Sequence, residues 1–230
     1  MNRRNRRATA KGDSPALKRR KAGDNLVRSG NMKKAVTCFE KSIALDPDDA
    51  TSHSNLAYVL AQLGDIAGAV NSYENARQIS PRNPAIQTNL GLLHVSHGRA
   101  EEALTCFERA IAVKPDHTEA LIQIVQILKH LNRRDDAAMY LTRAFQTGLN
   151  AAQASNASDE IVMMKLGLVL SEFGRTKDAL VCFIKASEIS PKEAVTHYHS
   201  GVAHAKLGKY EDAAECFQRA VAINPDKIDY

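Results

Sequence analysis

The stretch GRAEEALTCFERAIAVKPD, residues 98–116, is written almost unchanged at two other places in the chain. Residues 30–48 read GNMKKAVTCFEKSIALDPD, and residues 208–226 read GKYEDAAECFQRAVAINPD. Each copy opens on glycine and carries alanine, phenylalanine and proline at the same offsets. Gly30 and Gly98 stand 68 residues apart, twice 34, and Gly64 lies midway. Asn132 takes the same place 34 residues after Gly98. A further copy, GRTKDALVCFIKASEISPK, starts at Gly174, 42 residues on, and the last at Gly208 keeps the spacing of 34. The chain therefore holds six units, with eight extra residues between the fourth and the fifth. A fixed period in this range implies a solenoid, in which each unit buries its apolar face only against its neighbours.

Each unit reads as two helices when positions 1 to 34 are counted from Ala16, Ala50, Pro84, Thr118, Glu160 and Ala194. In the second unit Leu56, Leu60 and Leu63, at positions 7, 11 and 14, predict one helical packing stripe. Gly64 at 15 allows a tight turn. Ala69, Tyr73 and Ala76, at 20, 24 and 27, predict a second stripe, and Pro81 at 32 stops it. The corresponding quartets are Ala35, Phe39, Ser42, Pro47; Ala103, Phe107, Ala110, Pro115; Ala179, Phe183, Ala186, Pro191; and Ala213, Phe217, Ala220, Pro225. Ser14 and Pro15 read as an N-cap and a first-turn proline, so order is expected to begin near residue 15.

This pattern resembles the tetratricopeptide repeat (TPR) family, with small residues at 8, 20 and 27, an aromatic at 24 and proline at 32. The match spans residues 16–151 and 160–227. The resemblance implies an all-α fold, a right-handed TPR solenoid of six helix-turn-helix repeats, with first helices lining a concave groove. There are departures. Position 4, often tryptophan in the family, holds Arg19, His53, Gln87, Leu121, Met163 and His197. The fourth unit carries Val125 at 8, Leu141 at 24 and Leu149 at 32. Without its proline, that unit predicts a looser joint or a lengthened helix. The expected organisation is a basic disordered leader over 1–14, repeats one to four over 15–151 and an insertion over 152–159. Repeats five and six follow over 160–227, with a tail over 228–230.

Groove residues are expected at positions 2, 6, 9 and 13, away from the packing stripe. Those with recognition chemistry are Asn55, Tyr58 and Gln62; Asn89, Leu92 and Ser96; Gln123 and Gln126; Lys165 and Leu168; and His199. Amide side chains both donate and accept, so they can satisfy the backbone of an extended peptide. The series Asn55, Asn89, Gln123 at position 6 resembles the asparagine ladder in the TPR superhelix of O-linked N-acetylglucosamine transferases, and HSNLA (53–57) and TNLG (88–91) carry that likeness. A solvated asparagine tolerated on a helix face explains the same residues. The carboxylate clamp of chaperone-binding TPR domains does not fit. The matching positions are Arg20, Asp24, Asn55, Ala85 and Asn89, which lack two basic groups and place Asp24 against the ligand's charge.

Composition narrows the function further. Residues 1–21 hold nine Lys/Arg and one Asp, whereas the other 209 residues hold 22 basic and 25 acidic groups. The basic leader reads as a solvated segment, or as an anchor for nucleic acid or an anionic surface. Arg6, Arg7 and Lys18 to Lys21 also match a bipartite nuclear-import spacing. No apolar run reaches the length of a membrane span, and no apolar signal core opens the chain, so a cytoplasmic protein is expected. Cys38, Cys106, Cys182 and Cys216 all fall at position 23. One cysteine per repeat is too far from the next for a disulfide or a zinc site, and small buried apolar cysteines are expected. His94 and His97 fall at packing positions 11 and 14, and His197 and His199 diverge on their helix, so no metal is expected. No nucleotide loop or hydrolase motif occurs. The reading is a non-enzymatic scaffold without cofactors, binding an extended or helical segment of a partner protein. A second class stays open: the targeting or substrate-recruiting module of a larger glycosyltransferase- or methyltransferase-type enzyme. Only Ile228, Asp229 and Tyr230 follow the sixth unit, leaving the apolar face around Ala214 and Val221 for self-association.

Overall fold

A computed structural model describes residues 13–153 and 159–225. Most of the expected leader, the core of the insertion (154–158) and the tail lie outside the described residues. Twelve α-helices and no strand occur among the described residues, and they divide into two compact units. The first unit, ending at Val113, contains α1 (Pro15–Arg28), α2 (Met32–Leu45), α3 (Ala50–Gln62), α4 (Ile66–Ile79), α5 (Pro84–Ser96) and α6 (Ala100–Val113). The second, from Lys114, contains α7 (Thr118–His130), α8 (Arg134–Gln153), α9 (Asp159–Glu172), α10 (Thr176–Ile189), α11 (Ala194–Lys206) and α12 (Tyr210–Ile223). These are the six helix pairs that the period implies. No described helix is long and apolar enough to cross a membrane.

The helix ends follow from local chemistry. Ser14 Oγ accepts the Leu17 amide at 3.1 Å with Pro15 in the first turn, and Asn83 Oδ1 accepts the Ala85 amide at 3.0 Å before Pro84. Gly98 has φ +69°, and the Arg99 amide reaches back to the His94 carbonyl at 2.9 Å. Asn132 makes the same turn at φ +57°, with the Arg133 amide on the Leu128 carbonyl at 2.8 Å. Asparagine is the side chain that most readily replaces glycine there.

Within a pair, positions 8 and 24 share one volume. A Cβ added to Gly23, Gly91, Gly167 or Gly201 would stand 2.5 to 2.9 Å from the ring of Phe39, Phe107, Phe183 or Phe217. The fourth pair solves the same space with Val125 and Leu141, both wholly buried. Position 10 adds to the core in five pairs: Val59 is wholly buried beside Ala57, and Leu93, Ile127, Val169 and Ala203 repeat it, whereas Asn25 of the first pair is exposed. The expected 7/11/14 stripe is buried at 7 and 11 in the middle pairs, where Leu90, Ile124, Leu166, Leu128 and Leu170 are enclosed, and is shallower in the second pair and at position 14. Leu56 and Leu60 are half-buried, while Leu63 and His97 are exposed, because position 14 sits at the end of the first helix beside the turn. Among the cysteines Cys106 and Cys182 are buried, but Cys38 and Cys216 are half-buried.

Successive pairs are joined by polar contacts. Arg20 Nη1 lies 2.8 Å from both carboxylate oxygens of Asp49, and the Ser52 hydroxyl donates to Asp49 Oδ2 at 2.7 Å. Position 4 has its own use. His53 Nε2 donates to the Pro47 carbonyl at 3.1 Å, and His197 Nε2 to the Pro191 carbonyl at 2.9 Å. Each satisfies a carbonyl that the helix-stopping proline leaves without an amide partner. In the fourth pair no proline stops the second helix, and α8 runs for 20 residues through Leu149. The lengthened helix is therefore the outcome.

Candidate functional site

The first helices α1, α3 and α5 touch one another along one face of the first unit, and α7 touches α9 in the second. The expected groove residues belong to α3, α5, α7 and α9, apart from His199 of α11. Five of them meet at one cavity of about 260 Å³ between α3 and α5: Tyr58, Gln62, Asn89, Leu92 and Ser96. Its floor is Tyr73 of α4, its walls include Ala61 and Leu93, and His97 stands at its rim. Tyr58 and Leu92, 45% and 37% exposed, present apolar surface at its mouth. The helix supplies the geometry: Asn89, Leu92 and Ser96 lie at i, i+3 and i+7 on α5 and face Tyr58 and Gln62, four residues apart on α3.

A second depression lies one repeat earlier, lined by Asp24, Val27, Arg28, Phe39, Asn55 and Tyr58. It uses equivalent positions, with Tyr58 shared between the two. Here the expected ladder residue is already engaged, because Asn55 Nδ2 donates to Asp24 Oδ1 at 2.8 Å. Asn89 is exposed and has no such partner among the described residues. Its Ser96 neighbour turns inward, donating to the Leu93 carbonyl at 2.9 Å.

In the second unit the expected residues are spread out. Gln123 is half-buried and Gln126 exposed on α7. Lys165 of α9 pairs with Glu119 of α7 at 3.1 Å, and Lys129 pairs with Glu172 at 2.6 Å, so two ion pairs cross between these first helices. Leu168, 37% exposed, lies between the two α9 partners in sequence. His199 is packed rather than displayed: its ring stacks on Phe183 with centroids 5.5 Å apart and planes 24° apart. Burial pushes its pKa down. The same cause lowers His94 and His117. Among the described residues no three His, Cys, Asp or Glu side chains converge on a metal-sized point.

Sequence reasoning missed Tyr73, Ala61 and His97 as lining residues and Asp24 as the partner of Asn55. Tyr73 carried a signal, the tyrosine at a position that is phenylalanine in four other repeats. Asp24 carried none, since it lies 31 residues from Asn55 on another helix.

The model of the middle TPR-like domain of cilia and flagella-associated protein 70 matches residues 53–190, more than half of the chain. Tetratricopeptide-repeat models match residues 194–227 and 23–64. No curated protein matches the chain. Among solved structures, YrrB, a TPR protein with an unusual peptide-binding site, is 25% identical with a TM-score of 0.57, over 83% of this chain and 94% of its own. PilW, a type IV pilus biogenesis factor, is 19% identical with a TM-score of 0.70, over 95% and 97%. Pseudomonas aeruginosa pilF is 17% identical with a TM-score of 0.68, over 94% and 97%. By the three family models, the six helix pairs and the recurring small, aromatic and proline positions, the chain belongs to the tetratricopeptide-repeat family.

Proposed function

We propose that the chain is a protein-interaction scaffold that holds an extended segment of a partner protein on the first-helix face of α1, α3 and α5. The observation that carries this is the cavity where Tyr58, Gln62, Asn89, Leu92 and Ser96 meet over Tyr73. Apolar walls give a partner side chain somewhere to bury, and the exposed Asn89 amide can both donate to and accept from its backbone. The depression one repeat earlier, at Asn55 and Tyr58, suits the next side chain that an extended segment turns to the same side. The peptide-binding site of YrrB, at the level of identity given above, supports a peptide as the ligand class. Catalysis has no site in this reading. The scaffold is equally able to serve as the recruiting part of a larger assembly.

The test uses peptides enriched on the full chain from a display library and measured by fluorescence anisotropy. Asn89→Ala combined with Leu92→Ala is expected to weaken them roughly tenfold or more, because the pair removes one hydrogen bond and one apolar wall. Both residues are exposed, so the helical circular dichroism signal stays unchanged. Unchanged affinity in that variant removes the proposal.

A further inference from the structure

Position 24 is phenylalanine in four repeats (Phe39, Phe107, Phe183, Phe217) and leucine in the fourth (Leu141), but tyrosine in the second. Tyr73 is 3% exposed and forms the floor of the cavity between α3 and α5. Position 8 of the same repeat is alanine, so Ala57 already fills the space that glycine leaves for a ring edge elsewhere.

The Tyr73 hydroxyl has no hydrogen-bond partner among the described residues. It is also not one of the wholly enclosed polar atoms left without a partner, which are Gln87 Oε1 and His204 Nδ1. Tyr73 lines the cavity, which is the open space beside its ring. Burial, with Tyr58 adding to it, pushes the phenol up to about 12, so it remains a proton donor throughout the physiological range. Water entering the cavity meets that donor in the free protein, and a bound side chain that displaces the water without offering an acceptor loses that hydrogen bond.

We propose that Tyr73 determines specificity: its hydroxyl selects, from an extended partner peptide, a neutral side chain with an apolar body and a hydrogen-bond-accepting tip, tyrosine above all. This rests on the groove reading above and adds to it the chemistry of the bound residue. No charged side chain lines the cavity, so a carboxylate or ammonium group would be desolvated there without a counter-charge. Phenylalanine, leucine and methionine would bury well but leave the Tyr73 donor unmatched. A tyrosine ring fits a space of about 260 Å³, packs against the exposed Tyr58 and brings its own hydroxyl to the floor. It also loses little rotamer freedom on docking.

The test is a peptide-display selection on the full chain, followed by anisotropy with matched peptides that differ only by Tyr or Phe at the enriched position. The wild type is expected to prefer the tyrosine peptide by about 3- to 10-fold. Tyr73→Phe is expected to bring that ratio to about one while a thermal melt shows the fold intact, since phenylalanine is native at this position in four repeats. An undiminished tyrosine preference in Tyr73→Phe, or a wild type that prefers phenylalanine or leucine, overturns the inference. Leu92→Lys separates the two levels. Loss of all binding there, with the tyrosine preference kept in Tyr73→Phe, removes this inference and leaves the groove standing. Full binding by Leu92→Lys removes the groove reading and the inference together.

Discussion

The carboxylate of Asp49 serves three neighbours at one joint: the Arg20 guanidinium, the Ser52 hydroxyl and the Thr51 amide. Burial pushes its pKa up, but the hydrogen bonds from Ser52 and Arg20 and the Arg20 charge outweigh that and hold it below its usual 3.8. A depressed carboxyl adds stability that is present above pH 3.8 and is lost as pH falls through the lower, folded value. Asp49→Asn keeps a side-chain oxygen for capping and removes the charge. It is expected to cost about 1–2 kcal/mol in urea unfolding at pH 7. The gap should narrow as pH falls from 3.8 through the lower, folded value; a gap that stays the same from pH 7 into the acid range would contradict the linkage. The cysteines offer a second check. Burial pushes the thiols of Cys106 and Cys182 up to about 11 and about 12. Iodoacetamide at pH 8 is expected to leave both unlabelled in the folded protein and to label them in denaturant, as mass spectrometry would show. Equal labelling of all four cysteines in the native state would contradict their packing. The position-23 cysteines illustrate what a repeat pattern hides. Four identical letters at one position differ in burial: Cys106 and Cys182 are buried, Cys38 and Cys216 half-buried.

At the scale of the helix pair, the glycine at position 8 and the ring at position 24 act as one part. Gly91→Ala places a methyl 2.9 Å from the Phe107 ring and is expected to cost about 1–3 kcal/mol. Phe107→Leu in the same chain should recover part of that loss, since Val125 and Leu141 show the larger-smaller exchange in the fourth pair. Additive effects in a double-mutant cycle would argue against the shared volume. The lengthened α8 gives a converse test. Proline is native at position 32 in the other five repeats, yet Leu149→Pro falls inside a continuous helix and is expected to cost about 3 kcal/mol by thermal or urea unfolding. Much of this level was legible in the sequence. Gly64, Pro81 and their equivalents act through backbone geometry, which a single residue dictates, so turns and stops could be read off directly. The core was less legible. Position 10 is buried in five pairs, but its side chains range from the exposed Asn25 through Ala203 to Leu93, so no recurring letter marks it. Position 4 was opaque for a related reason: His53 and His197 act on a proline carbonyl six residues back, outside any helical stripe.

For the molecule as a whole, the period made the fold legible and left the ligand face only partly so. Positions 6, 9 and 13 pointed to Tyr58, Asn89, Leu92 and Ser96, which do converge on one cavity. The same rule pointed to Asn55, Lys165 and His199, which are engaged by Asp24, Glu119 and Phe183. Those partners sit on other helices, so spacing along one helix could not reveal them. Charge is uneven at this scale: the first 21 residues carry nine of the 31 basic side chains. Any nucleic-acid binding by this protein is expected to rest on the basic leader, so deleting residues 1–14 should abolish it and flatten its salt dependence in a filter-binding assay. The proposed function depends on partners docking on the first-helix face of α1, α3 and α5. An NMR titration of the isotope-labelled chain with a display-selected peptide reads that face residue by residue. Docking there should concentrate shift changes at Tyr58, Asn89, Leu92, Ser96 and Tyr73, with Asn71 of α4 and Glu108 of α6 unmoved. Changes concentrated on the outward faces of α4 and α6, with Asn89 and Leu92 unmoved, would refute it.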